Sequence, residues 1–151
     1  MKSEIAALGV VSILIAVVFA SGCISSQNAL YQYNLSAGQS PFYIGAQNVT
    51  IPNGTKTVTV KCENLTKVNS SLNTSYVNIY VLNTIPVTVT VNGNQTDYVK
   101  QYNSNILVQK TINLANETNP LSENITFNNT NMKGILIVNV NTKGSIQILT
   151  T

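Results

Sequence analysis

The stretch TVTVKC, residues 57–62, decides the fold class: Val58, Val60 and Cys62 alternate with Thr57, Thr59 and Lys61. Successive side chains of a strand point to opposite faces. This spacing therefore buries two valines and a thiol on one side and leaves threonine and lysine on the other. A helix would scatter the same residues around its circumference. Immediately upstream, Pro52-Asn53-Gly54 has the residue types of a tight turn.

Working outward, the same texture recurs along the chain. FYIGAQNVTI (42–51) predicts one or two strands, and the alternation of Tyr31, Tyr33 and Leu35 predicts an earlier one. YVNIYVL (76–82) and VTVTVN (87–92) follow, with Pro86 where a strand can begin. Val87, Val89 and Val91 are expected to be buried, with Thr88 and Thr90 outward. Asn92-Gly93 is a hairpin signal leading into QTDYVKQY (95–102). NILVQKTINL (105–114), ENITF (123–127), GILIVNV (134–140) and SIQIL (145–149) complete the series. Asn141-Thr142-Lys143-Gly144 reads as a four-residue turn between the last two. Residues 135–138 are apolar at every position, as in a central strand covered on both faces or a contact surface.

Past Cys23 no segment sustains a helical period. The expected fold is all-β: an antiparallel β-sandwich, jelly-roll-like, of roughly eight or nine short strands. It occupies residues 29–151, after an N-terminal signal or anchor helix (1–22) and a short tether (23–28).

Only 9% of the residues are charged and 44% are hydrophobic. Disorder is excluded by that apolar content, and solubility rests on uncharged polar groups, including 22 Asn, 17 Thr and 13 Ser. The net charge of +3 comes from eight lysines, scattered singly, and five acids, with no arginine. Without guanidinium groups the chain lacks bidentate readers of phosphates or bases, so a nucleic-acid partner is not expected.

At the N-terminus, IAALGVVSILIAVVFA (5–20) runs sixteen residues without a charge. That is short of the roughly 20 residues that span a bilayer and suits the apolar region of a signal peptide. Lys2 precedes the run and the next lysine is Lys56, an asymmetry that sends the body of the protein outward. The small residues Ala20-Ser21-Gly22 then precede Cys23. Ala20-Ser21-Gly22-Cys23 resembles the lipobox of prokaryotic lipoproteins, although leucine is the commoner residue at the position of Ala20. The resemblance implies that Cys23 is lipidated and becomes the first residue, which makes the membrane a partner. An uncleaved signal anchor, or release after cleavage, are the alternatives. All three place the body on the outer face of the cytoplasmic membrane or beyond it. The Asn/Thr-rich strands ending KGILIVNVNTKGSIQIL (133–149) look like those of small surface lipoproteins of methanogenic archaea.

Asn-X-Ser/Thr sequons occur at Asn34, Asn48, Asn53, Asn64, Asn69, Asn73, Asn94, Asn116, Asn124 and Asn128. Chance would give roughly four in this composition, so these ten are candidate glycosylation sites on an exterior domain.

Chemistry is sparse elsewhere. Cys62 reads as a buried small hydrophobe, and no histidine exists to activate it. The acids beyond the leader are Glu63, Asp97, Glu117 and Glu123, and their spacing makes neither a glycosidase pair nor a metal site. The loop 116–124 holds oxygen donors for a hard cation but reads as a solvated loop. No catalytic residue, metal or cofactor is expected, and the protein reads as non-enzymatic. The expected role is a structural or binding component of the cell envelope. Two alternatives are a carbohydrate-binding module for envelope polysaccharide, with Tyr31, Tyr33 and Tyr43 as its face, and a subunit that self-associates through strand edges.

Overall fold

The computed structural model describes residues 28–35, 38, 40, 42–87, 99 and 101–151. Outside them lie the leader with Cys23, most of the tether, Asn94, all but Val87 of the strand expected over 87–92, and the Asn92-Gly93 hairpin.

Eight strands follow in order: β1 (Asn28–Leu35), β2 (Ile44–Thr50), β3 (Thr57–Lys67), β4 (Tyr76–Leu82), β5 (Ile106–Asn113), β6 (Leu121–Asn128), β7 (Gly134–Val140) and β8 (Thr142–Thr150). They form two four-stranded sheets, β1-β8-β3-β6 and β2-β7-β4-β5, every ladder antiparallel. The pairs β1/β8, β2/β7, β3/β6 and β4/β5 are nested as in one long hairpin. The β3/β8 and β4/β7 ladders roll that hairpin into a sandwich. This is a jelly roll, the all-β class that the alternation predicts.

The two inner faces make one core. Val58, Val60 and Cys62 of β3 meet Ile146 and Ile148 of β8, and Val77, Ile79 and Val81 of β4 meet Ile135 and Ile137 of β7. All ten are fully buried, and each aliphatic one contributes about 1.5–3 kcal/mol. Period two breaks once in β3, between Cys62 and Leu65. The break is a bulge in which Asn64 adopts φ 54, a left-handed conformation that asparagine tolerates better than most residues. The extra residue shifts the parity, so Leu65 faces the core where Asn64 would have.

The sheets differ outside. On the first, Thr57 bonds Asn128 and Thr59 bonds Thr126, each at 3.0 Å, in exposed cross-strand pairs. On the second, Leu136 and Val138 of β7 join Tyr80, Leu82 and Tyr102 in a separate buried cluster. Tyr102, from the connection between β4 and β5, lies on that face, and its Oη donates to Val87 O at 2.8 Å and accepts from Val87 N at 2.9 Å. Pro86 belongs to the same connection. A β-carbon at Gly134 would lie 2.1 Å from Pro86 Cδ, so only glycine lets β7 begin there.

Two sequence expectations change. Residues 85–87 form no strand, and Val87 is 59% exposed rather than buried, because its backbone is tied to Tyr102 instead of a ladder. The four-residue turn at 141–144 is a single crossover residue, Asn141, that carries the chain from one sheet to the other.

The registers also define two ends. Leu35, Ile44, Lys67, Tyr76, Asn113, Leu121, Val140 and Thr142 lie at one, the far end; Asn28, where the described chain enters, lies at the other. Among the described residues no helix is long and apolar enough to cross a membrane.

Candidate functional site

The far end is organised by Asn141. It is fully buried and adopts φ 49. Its side-chain oxygen accepts from Asn69 N at 2.8 Å, and its amide donates to Asn69 O at 2.9 Å and Thr74 O at 3.1 Å. Its backbone N donates to Tyr43 O at 2.9 Å, and its carbonyl accepts from Val68 N and Ser75 Oγ at 3.0 Å each. One residue thus ties together the β1–β2, β3–β4 and β7–β8 connections. Ser75 Oγ also meets Thr142 Oγ1 at 3.0 Å, and Asn139 Nδ2 donates to Thr142 O at 2.9 Å. Buried polar groups are tolerated when satisfied, and a satisfied network rigidifies its surroundings. Tyr43, at φ 47, is held in a strained left-handed backbone by its bond from Asn141. The sequence reading took Asn141 for a turn residue. Its role depends on partners in three connections that lie far apart in the sequence.

Beside this hub, Lys67, Ser70, Glu117 and Thr118 line an open cleft of about 430 Å³, backed by buried Leu65 and Leu114. Lys67 Nζ is committed to Ala115 O, which pins the β5–β6 connection to β3. Glu117 sits in that connection, whereas Glu123 lies in β6 opposite Cys62. Among the described residues no three His, Cys, Asp or Glu side chains gather closely enough to hold a metal.

Cys62 is a buried free thiol. Burial, then the nearby Glu123 charge, pushes its pKa up to about 12, which suppresses the thiolate that nucleophilic chemistry needs.

The three tyrosines expected as a sugar face, Tyr31, Tyr33 and Tyr43, differ in exposure. Tyr31 is 38% exposed, but Tyr33 turns inward against the core, its ring edge-on to Tyr31 at 4.8 Å. Burial raises the Tyr33 phenol well above its ordinary range, and its hydroxyl has no hydrogen-bond partner among the described residues. Tyr43 is half-buried, and Tyr80 and Tyr102 belong to the outer cluster.

None of the described sequon asparagines is buried. Asn34, Asn53, Asn64, Asn73, Asn116, Asn124 and Asn128 are exposed, and Asn48 and Asn69 are half-buried. The buried asparagines, Asn78, Asn139 and Asn141, all lie outside sequons. Asn94 and Cys23 lie outside the described residues.

No protein-family model matches the sequence, and no curated protein matches it. Among solved structures it is similar to the K3 cleaved adhesin domain of Lys-gingipain from Porphyromonas gingivalis w83, at 13% identity and a TM-score of 0.37, over 82% of this chain and 71% of that one. It is also similar to the Penaeus vannamei nodavirus P-domain, at 11% identity and a TM-score of 0.38, over 82% of this chain and 99% of that one. Similarities this loose carry no functional residue across.

Proposed function

We propose that the protein is a non-enzymatic component of the cell envelope, held at the outer face of the membrane by its N-terminal segment through lipid on Cys23, with the jelly roll projecting from it. The supporting observation is directional. The described chain enters at Asn28, at the end opposite the loops gathered by Asn141. An attachment before Asn28 therefore leaves the far end and the outer face of the first sheet, with its exposed Thr57–Asn128 and Thr59–Thr126 pairs, free for neighbours in the envelope.

Intact-mass and peptide analysis of the protein from its native membranes tests this. A lipid-bearing Cys23 as the first residue is the expected result, and Cys23→Ser is expected to shift the protein out of the membrane fraction with the domain folded. Recovery of an unprocessed Met1 peptide overturns attachment through Cys23.

A further inference from the structure

We propose that the domain is an N-glycoprotein whose sugars are placed by the fold, with the loop asparagines Asn53 and Asn116 as principal acceptors, the exposed strand asparagines Asn34, Asn124 and Asn128 adding to them, and Asn73 left bare. The proposal rests on the exterior placement above. Transfer joins asparagine Nδ2 to C1 of a sugar delivered by a lipid-phosphate-linked oligosaccharide. The C1–O bond to phosphate breaks, and the amide proton leaves with the phosphate. The acceptor site must therefore offer a free amide and, two residues on, a reachable hydroxyl.

Asn116 meets both conditions, since it and Thr118 are exposed in the β5–β6 connection. Asn53 sits exposed in the turn closed by Thr55 N to Pro52 O at 3.3 Å, where Gly54 adopts φ 85 and nothing approaches within 4 Å of its β-carbon position. Asn34, Asn124 and Asn128 are exposed on the edge strands β1 and β6 of the first sheet; the sequon residues Thr126 and Thr130 are exposed as well, whereas Ser36, the sequon residue of Asn34, lies outside the described residues. Asn73 is exposed too, but its sequon hydroxyl is not: Ser75 is buried, with Oγ bonded to Asn141 O and Thr142 Oγ1.

None of the described sequon asparagines is buried, and the three buried ones, Asn78, Asn139 and Asn141, lie outside sequons, although Asn103, Asn113, Asn119 and Asn131 outside them are exposed as well. The chain also has a physical need for sugar, because with 9% charged residues its solvation rests on uncharged groups.

The test is glycopeptide mass spectrometry on the full chain isolated from its native membranes, together with Thr118→Ala and Thr118→Ser variants expressed there. The Asn53 and Asn116 peptides should carry hexose-containing masses and the Asn73 peptide none. Thr118→Ala should remove one glycan mass, which Thr118→Ser retains. Bare Asn53 and Asn116 peptides on protein with lipidated Cys23 overturn the proposal while exterior attachment stands. Glycans beside an unprocessed Met1 support it while lipid attachment falls. A fully occupied Asn73 overturns the claim that the fold selects the sites.

Discussion

Strands β3 and β7 are both interior strands, one in each sheet, yet their outer faces differ. Up to its bulge, β3 alternates buried and half-exposed residues, whereas β7 is buried from Gly134 to Asn139. The contrast lies in what covers them. The outer face of β3 is lined by Thr57 and Thr59, bonded across to β6. The outer face of β7 is capped by Tyr80 and by Tyr102 from the β4–β5 connection. A strand's sequence thus records how many of its faces are covered, and period two appears only where one face meets water.

The largest expected effect lies within β7 and tests whether both faces are core. Ile137 belongs to the main core and Leu136 to the outer cluster. Ile137→Ala is expected to cost about 3–5 kcal/mol, because both sheets hold its cavity open. Leu136→Ala should cost about 2–3 kcal/mol, because a covering loop can settle further than a sheet can. Denaturant unfolding measures both. A cost near zero for Leu136→Ala would mean that the outer cluster does not bury it.

Second comes the polar hub at the far end, which neither strand pattern foretells. Asn141→Ala strands Asn69 N, Asn69 O and Thr74 O, and leaves alanine at φ 49. The expected cost is about 2–4 kcal/mol. Asn141→Gly accepts the backbone and loses only the side-chain bonds, so it should be milder by about 1 kcal/mol. Hydrogen exchange at the Asn69 amide should rise in both variants. Unchanged exchange would show that the hub does not order the β3–β4 connection.

These two tests mark the limit of what the sequence discloses. Alternation at Val58, Val60 and Cys62 was legible because one face is wet and one dry. Strands β4 and β7 fall over 76–82 and 134–140 as read, since each apolar run is bounded by polar residues. Val87 misled because a short alternating pattern cannot distinguish a ladder from a segment whose backbone is held by one tyrosine hydroxyl. Tyr33 misled because tyrosine suits an exposed sugar platform and a core edge equally. Asn141 was illegible because its role depends on three connections that meet only after the hairpin has rolled up. The sequons were legible as motifs, but their exposure became visible only once each asparagine had a face.

A third test returns to β3. Cys62→Ala is expected to cost about 1 kcal/mol near neutral pH through lost packing. Its sharper consequence is alkaline. Folded Cys62 keeps its proton up to about 12, from an ordinary value of 9.0. The unfolded chain therefore binds fewer protons than the folded one across that window, and stability falls as pH rises from 9 towards 12. Cys62→Ala should remove the part of the fall that begins near pH 9. Titration of the buried Tyr33 phenol adds to the fall at higher pH in either variant. An unchanged onset in Cys62→Ala would assign the whole effect to other groups.

The smallest expected effect decides whether the outer face of the first sheet is free. Thr59 Oγ1 meets Thr126 Oγ1 at 3.0 Å in an exposed pair, a bond that competes with water and contributes little. Valine keeps the β-branch that suits a strand, so Thr59→Val should change stability by less than about 0.5 kcal/mol. The companion Thr126→Val removes the sequon hydroxyl of Asn124 as well, so it should also erase one glycan if that site is occupied. A stability loss above about 1.5 kcal/mol for Thr59→Val would require the hydroxyl to be shielded from water. The first sheet would then be covered on both faces, as the second is, and the contrast between β3 and β7 would reduce to residue type.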